Sequence, residues 1–358
     1  RFFISLVVEQ RVSKKLDNFG IRPLPNLETK FVTANTLIGI DKSQGQQIFS
    51  TQKIKQLQFE LKEVRHKLFS AKTKGTKLKY REKDEELRMS ISEELVISGW
   101  QNDAAQMLAQ WDPYNQNASS PFFDPEWMFD LKDGFDVVIG NPPYIKEYTD
   151  RSVFDGLRSH AYYQGKMDIW YFFTCKGIDF LRRNGIISFI AQNNWITSDG
   201  ASMLRNKVLN QTKITQFLDF RDFMIFESAS IQTMVFLLEK DEVKGYGLDF
   251  RRITSEKSTK EDVKSLMNKE QGVGLYLNLN FIPEEFLDKR ISFVDGENDK
   301  ILQAIHCKKN FNLNEKTEVA RGIVAPQDKL NKKGTEILNF KITKGSGIFI
   351  LSTEELKG

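Results

Sequence analysis

The chain has 358 residues, 40% hydrophobic and 28% charged, a globular composition long enough for about two domains and a sizeable core. Its net charge of +4 permits nucleic-acid binding without demanding it. Cys175 and Cys307 are too few and too far apart for a disulfide framework or a zinc site, and no run reaches the ~18 apolar residues of a membrane span. A cytoplasmic protein with no membrane partner and no metal is expected.

Phe2 to Leu16 places Ile4, Leu6, Val7, Val8, Val12 and Leu16 at helical spacing and predicts a helix. The chain thus opens at Arg1 in mid-helix, with no charged-then-apolar leader, as a piece of a longer protein would. Pro23, Pro25 and Asn26 break the pattern. Lys30 to Ile40 (KFVTANTLIGI) predicts a strand ending in a loop at Asn35. Gln47 to Ser98 is rich in Lys, Glu, Gln and Leu with helical periodicity, and predicts a helical insertion, a hairpin interrupted near Gly75. Within it, Lys53 to Lys83 holds eleven Lys/Arg against three Glu. Those residues fit either a solvated helical face or a phosphate-tracking surface. Trp111 to Asp133 reads as a loop.

Strands and helices then alternate. Phe135 to Ile139 (FDVVI) predicts a strand of the kind buried in a parallel sheet, Asp168 to Arg182 a helix, and Gly185 to Ala191 a second buried strand. Gly200 to Leu209 predicts a helix, Ile214 to Phe220 a strand, and Ile231 to Lys240 another strand. The last is reached by a loop too short for the dozen or so residues of a parallel crossover, so it should run antiparallel. The fold class is α/β: a doubly wound sheet of parallel strands with a reversed last strand. Residues 245–294 read as a linker, and 295–358 as the opening of a second domain.

The sharpest chemical signal is Asn141-Pro142-Pro143-Tyr144, directly after FDVVIG. Ligands of open α/β sheets bind beyond the carboxyl ends of strands. Two prolines hold this backbone extended and remove two N–H donors, so it offers carbonyl acceptors. The Asn141 amide oxygen and the Pro142 carbonyl suit the two N–H groups of an exocyclic amine on a planar ring, and Tyr144 could stack on that ring. The bland alternative is a rigid turn closing a strand. A base in a duplex reaches such a pocket only by flipping out, at a cost of a few kcal/mol that stacking offsets. Phe226, in the loop before the reversed strand, could be the second stacking face or a core residue of its loop.

The segments RFFISLVVEQ, LPNLETKFVTANTLIG, FFDPEWMF, GFDVVIGNPPYI, GKMDIWYFF, NGIISFIAQNNWI, GASMLRNKVL and FRDFMIFESASIQTMVFLLEK resemble, in order, the adenine-N6 DNA methyltransferases of combined (type IIG) restriction-modification enzymes. The resemblance implies a Rossmann-like methyltransferase sheet over 1–244 with its helical insertion, S-adenosylmethionine as cofactor, and double-stranded DNA as partner. It implies catalytic roles for Asn141, Pro142 and Tyr144, and stacking of the flipped adenine by Tyr144 and Phe226. It implies contacts to the cofactor's adenine from Asn35, Phe173 and Pro143; by themselves, Asn35 could equally be a turn residue and Phe173 a core one. The Gly-rich loop and acidic residue that the family places before the first helix are not in the sequence, so the sheet is expected to be truncated at its N-terminus and the piece itself inactive. VARGIVAPQDKL resembles the opening of a target-recognition domain, incomplete at Gly358, and a nuclease domain in the same parent chain is implied too. Two other readings fit the residues: a protein-glutamine methyltransferase, since the same tetrapeptide serves a planar amide, and a DNA-specificity module without catalysis.

Overall fold

Four of the predicted strands and two unpredicted ones, β5 and β6, assemble into one six-stranded mixed sheet, with β1 (Phe135–Gly140), β2 (Leu181–Gln192), β3 (Lys213–Asp219), β4 (Thr233–Glu239), β5 (Tyr246–Ile253) and β6 (Gly274–Phe281) in the spatial order β1-β2-β4-β3-β5-β6. This computed structural model describes residues 8–21, 26–40, 51–115, 117–226, 231–255, 258–270, 272, 274–293, 300–301 and 304–305. β1 runs parallel to β2, and β3 parallel to β5. β4 is antiparallel to both β2 and β3, as expected. The connections β1–α5–β2 and β2–α6–β3 use α5 (Ile169–Phe180) and α6 (Ser202–Gln211).

Alternation along the strands divides the core. Phe217 packs with α5 and α6 residues such as Phe172, Ile178 and Leu204 in the main cluster, whereas its neighbour Leu218 packs with Phe220, Ile253 and Leu266 beneath α7 (Lys260–Met267). Helices therefore cover both faces. At Gly177 a Cβ would meet Ile187 Cδ1 at 2.4 Å, so the missing side chain lets α5 lie close on β2.

Several expectations are corrected. The 245–294 stretch is not a linker: β5 pairs with β3, and β6 with β5, extending the sheet. Within it, Arg251 bonds to Asp249 and to the Leu266 carbonyl. β1 is less buried than its apolar composition implies. Among the described residues it pairs only with β2, and Val137 and Ile139 are 59% and 81% exposed. Residues 30–40 form no strand: only Ala34 bridges to Ser120, and Val32, Ala34 and Ile40 pack on the helical insertion instead. Of the helix expected over 2–16, residues 1–7 lie outside the described set, Val8 is helical, and 9–16 are not. Most of the expected recognition-domain segment also lies outside it.

The insertion is a helical hairpin, α1 (Gln52–Ser70) and α2 (Lys74–Ile97), followed by α3 (Asn102–Gln110) and the short α4 (Pro125–Phe129). The break falls at 71–73 rather than at Gly75, because the Thr73 hydroxyl accepts from Thr76 N and caps α2. Ile54, Leu61, Leu87, Ile91, Leu95, Trp100, Leu108 and Trp127 form a separate apolar cluster. At its edge, fully buried Asp84 is clamped by Arg65 Nε at 2.7 Å and Arg88 Nε at 2.8 Å. Among the described residues no helix is long and apolar enough to cross a membrane, and no cluster of three metal-ligating side chains occurs.

Candidate active-site groove

β1 ends at Gly140, and the chain leaves its carboxyl end as Asn141-Pro142-Pro143-Tyr144. A groove of about 460 Å³ opens there, lined among others by Thr36, Asn141, Pro142, Pro143, Phe173 and Phe189. That volume falls in the range of small-ligand pockets. Three larger depressions lie away from this loop, two of about 660 and 600 Å³ along α1 and the 126–134 segment and one of about 520 Å³ beside Arg183, Gln211 and Lys240. We assign function to the groove because the acceptor-rich loop is there.

Asn141 and Pro143 are exposed, Pro142 is buried, and Tyr144 is half-buried against the main core. The Tyr144 hydroxyl lies 2.9 Å from Asn141 Oδ1 and 2.8 Å from the Ile190 carbonyl of β2. It has one proton to donate, so donation to Ile190 frees the amide oxygen for an incoming N–H. Burial, seconded by the charge of Asp168, pushes this phenol up to about 12. Tyr144 is thus a neutral hydrogen-bonding group near neutral pH and no general base. Among the described residues no donor is bonded to the Pro142 carbonyl.

Asp168 braces the loop from behind. Its Oδ1 accepts from Ile145 N at 3.0 Å and, as the N-cap of α5, from Trp170 N at 3.4 Å. Ile169 N in turn donates to the Ile145 carbonyl, and Glu147 N to the Met167 carbonyl. One buried carboxylate therefore ties the tetrapeptide to the helix that carries Phe173. Burial raises the Asp168 carboxyl to about 6, against the opposing pull of the Trp170 and Ile145 N–H groups and Lys146. A carboxyl raised in the fold stabilises it most when protonated. Its contribution is full below about pH 4 and is lost as pH rises through about 6, with a slope of at most ~1.4 kcal/mol per pH unit. Asp168→Asn, which keeps the acceptor, is expected to flatten the urea midpoint across that window; an unchanged pH slope would mean that Asp168 titrates normally.

The structure brings Asn141, Pro142, Pro143, Tyr144 and Phe173 together. It does not put Asn35 on the groove: its Oδ1 accepts from Leu37 N at 3.2 Å in an Asx turn, and the next residue, Thr36, supplies the lining. Phe226 is half-buried in the loop between β3 and β4, outside the groove lining, while its neighbours Phe223 and Ile225 pack under the sheet. Its loop leaves the same sheet edge as the tetrapeptide, three strand spacings or about 14 Å across. Between the two lies a polar chain that sequence reading missed. Asn193 Nδ2 donates to Asp219 Oδ1 at 3.0 Å, and Asp219 Oδ2 takes Arg252 Nε at 2.8 Å, fastening the end of β2 to β3 and β5. Nothing in local pattern announces such a contact. Asp168 was more visible, an acid directly before an apolar helix.

Residues 28–226 match the family described as Eco57I restriction-modification methylase. The chain belongs to this family. It is 26% identical over 144 residues to the type II methyltransferase M.HincII of Haemophilus influenzae, covering 38% of this chain and 28% of that protein. It is 24% identical over 119 residues to the type II restriction enzyme and methyltransferase RM.Eco57I of Escherichia coli, covering 32% of this chain and 12% of that one. The chain thus spans under a third of the length of these curated relatives. Among solved structures, the type I restriction-modification methyltransferase subunit from Streptococcus thermophilus superposes with a TM-score of 0.34 at 17% identity, over 52% of this chain and 43% of that one.

Proposed function

We propose that the protein methylates the N6 amine of adenine in duplex DNA, at a specific site, as part of a restriction-modification system. The observation that carries this reading is the exposed Asn141 amide, held beside a neutral Tyr144 hydroxyl at the mouth of an apolar groove. Asn141 Oδ1 and the Pro142 carbonyl each accept one N–H of the target amine, which turns its lone pair toward the groove and stabilises the positive charge that develops on nitrogen. The proton lost from nitrogen passes to solvent, since among the described residues the groove at this loop is lined by no histidine and no carboxylate.

S-adenosylmethionine fits the groove in kind: the Phe173 ring and the Pro143 edge offer flat apolar surface to a purine, and Thr36 a polar contact. When bound it supplies a methyl group already activated on a sulfonium. Phe226 closes over the flipped base from the opposite loop. Phe226→Ala is expected to lower the methylation rate of the intact protein about tenfold, in keeping with the ~1–3 kcal/mol that one stacked base contributes. An unchanged rate would return Phe226 to its loop core.

Two competing readings are separable by assay. With the intact protein and labelled methyl donor, label should enter duplex DNA and not a glutamine-containing peptide. Label in the peptide would select a glutamine methyltransferase. No cofactor binding by calorimetry to the intact protein would select a specificity module without catalysis.

A further inference from the structure

Of the eleven Lys and Arg between Lys53 and Lys83, five pair with acids: Lys53 with Glu94, Lys62 with Asp130, Arg65 with Asp84, Arg81 with Glu28, and Lys83 with Glu86. Six form no ion pair among the described residues. Lys55 is one, and the other five, Lys67, Lys72, Lys74, Lys77 and Lys79, gather where α1 turns into α2. From Val64 to Arg81 the sequence has no Asp or Glu; Glu63 and Glu82 are the nearest on either side. At 1.5 Å rise per residue, all five lysines fall within about 8 Å of the turn along the helix axes.

Folding does not explain this grouping. Lys74 and Lys77 stand in the first turn of α2, which holds no acid, and there a cation opposes the helix dipole. The five lysines also repel one another. The turn beneath them is fixed, since Asn26 Nδ2 donates to the Leu68 and Ala71 carbonyls at 2.6 and 2.8 Å, and Asn26 N to the Phe69 carbonyl. The charges therefore ride on a rigid platform rather than a loose tail. All five are lysines, compact charges that follow phosphates without demanding one geometry. Among residues 64–81 the only Phe, Tyr or Trp rings are Phe69 and Tyr80, both half-buried, and His66 is the one exposed ring, so the surface lacks the row of stacking platforms of a single-strand binder. A duplex presents a phosphate charge about every 1.7 Å of its axis, and a patch of this width meets several.

We propose that the lysine end of the α1–α2 hairpin is a sequence-independent contact to the phosphate backbone of duplex DNA, separate from the groove at Asn141. It rests on the reading of the protein as a DNA enzyme. The test is anisotropy of a labelled duplex of arbitrary sequence with the full chain, over about 50–200 mM salt. For a variant with Lys67, Lys72, Lys74, Lys77 and Lys79 all changed to Gln, affinity should fall roughly ten- to a hundredfold, and the slope of log affinity against log salt should flatten by about 3, the loss of some three phosphate contacts. A second variant with the same five changed to Arg should keep both, which guards against loss of fold. Unchanged affinity and slope in the Gln variant, with wild type binding, overturns the hairpin contact and leaves the methyltransferase reading standing. Loss confined to single-stranded RNA or to an acidic polypeptide overturns the choice of partner. A wild-type chain that binds no duplex even at low salt overturns the contact, whereas methylation by the intact protein tests the enzyme reading separately.

Discussion

Asn141→Ala in the intact protein is expected to lower methyl transfer on the order of a hundred- to a thousandfold while leaving DNA affinity within about twofold. That is the usual cost of removing one preorganised group that meets charge developing in the transition state. The argument is local. Asn141 is exposed, lies near only the Tyr144 hydroxyl among the polar groups of the described residues, and supports no core packing. Its loss should leave the fold intact, with the loop still pinned by Asp168 to Ile145 and by Tyr144 to Ile190. The rate should drop without a matching rise in KM for DNA, because the bonds strengthen as nitrogen gains charge. Single-turnover methylation beside a binding isotherm checks this. A rate within a few-fold of wild type would remove Asn141 from the chemistry.

The second large effect is on stability. Asp84→Ala should destabilise the protein by about 3–5 kcal/mol, since two arginines that flank it inside the insertion would lose their counter-charge. Arg65 also holds the Trp127 carbonyl, and Arg88 the Ala109 carbonyl, so the cluster joins the hairpin to α3 and to the 125–129 turn. Replacing Asp84, Arg65 and Arg88 together by apolar residues of similar volume should recover most of the loss. Denaturant unfolding of the three forms separates an uncompensated charge from a simple packing defect; a loss under about 1 kcal/mol for Asp84→Ala would show that water reaches the pair.

The parts of this protein that periodicity describes were readable. β1 through β4, α5 and α6 follow from apolar runs and their spacing. The failures share a cause. Asp249, Arg251 and Arg252 look like linker residues, yet each charge meets a partner across the sheet or at the end of α7, so a strand can bury them. Likewise Arg65 falls in the stretch that could read as a solvated face, yet it is half-buried against Asp84, and Asp84 and Arg88 lie inside. Pairing between residues far apart in sequence decides these cases, and one-dimensional pattern does not carry it. At the site, the tetrapeptide was legible because its chemistry is contiguous. Thr36, Asp168 and the Asn193–Asp219–Arg252 chain act through tertiary placement. Asn35 shows the converse, a polar residue whose side chain is spent on its own turn.

The most direct test of the central claim is the identity of the methylated atom. Duplex DNA is incubated with the intact protein and deuterium-labelled S-adenosylmethionine, then digested to nucleosides for mass spectrometry. Label confined to N6-methyladenine, and formed on the order of a hundredfold or more slowly with Asn141→Ala, is the predicted result. Label on cytosine, or undiminished label with Asn141→Ala, would contradict the account.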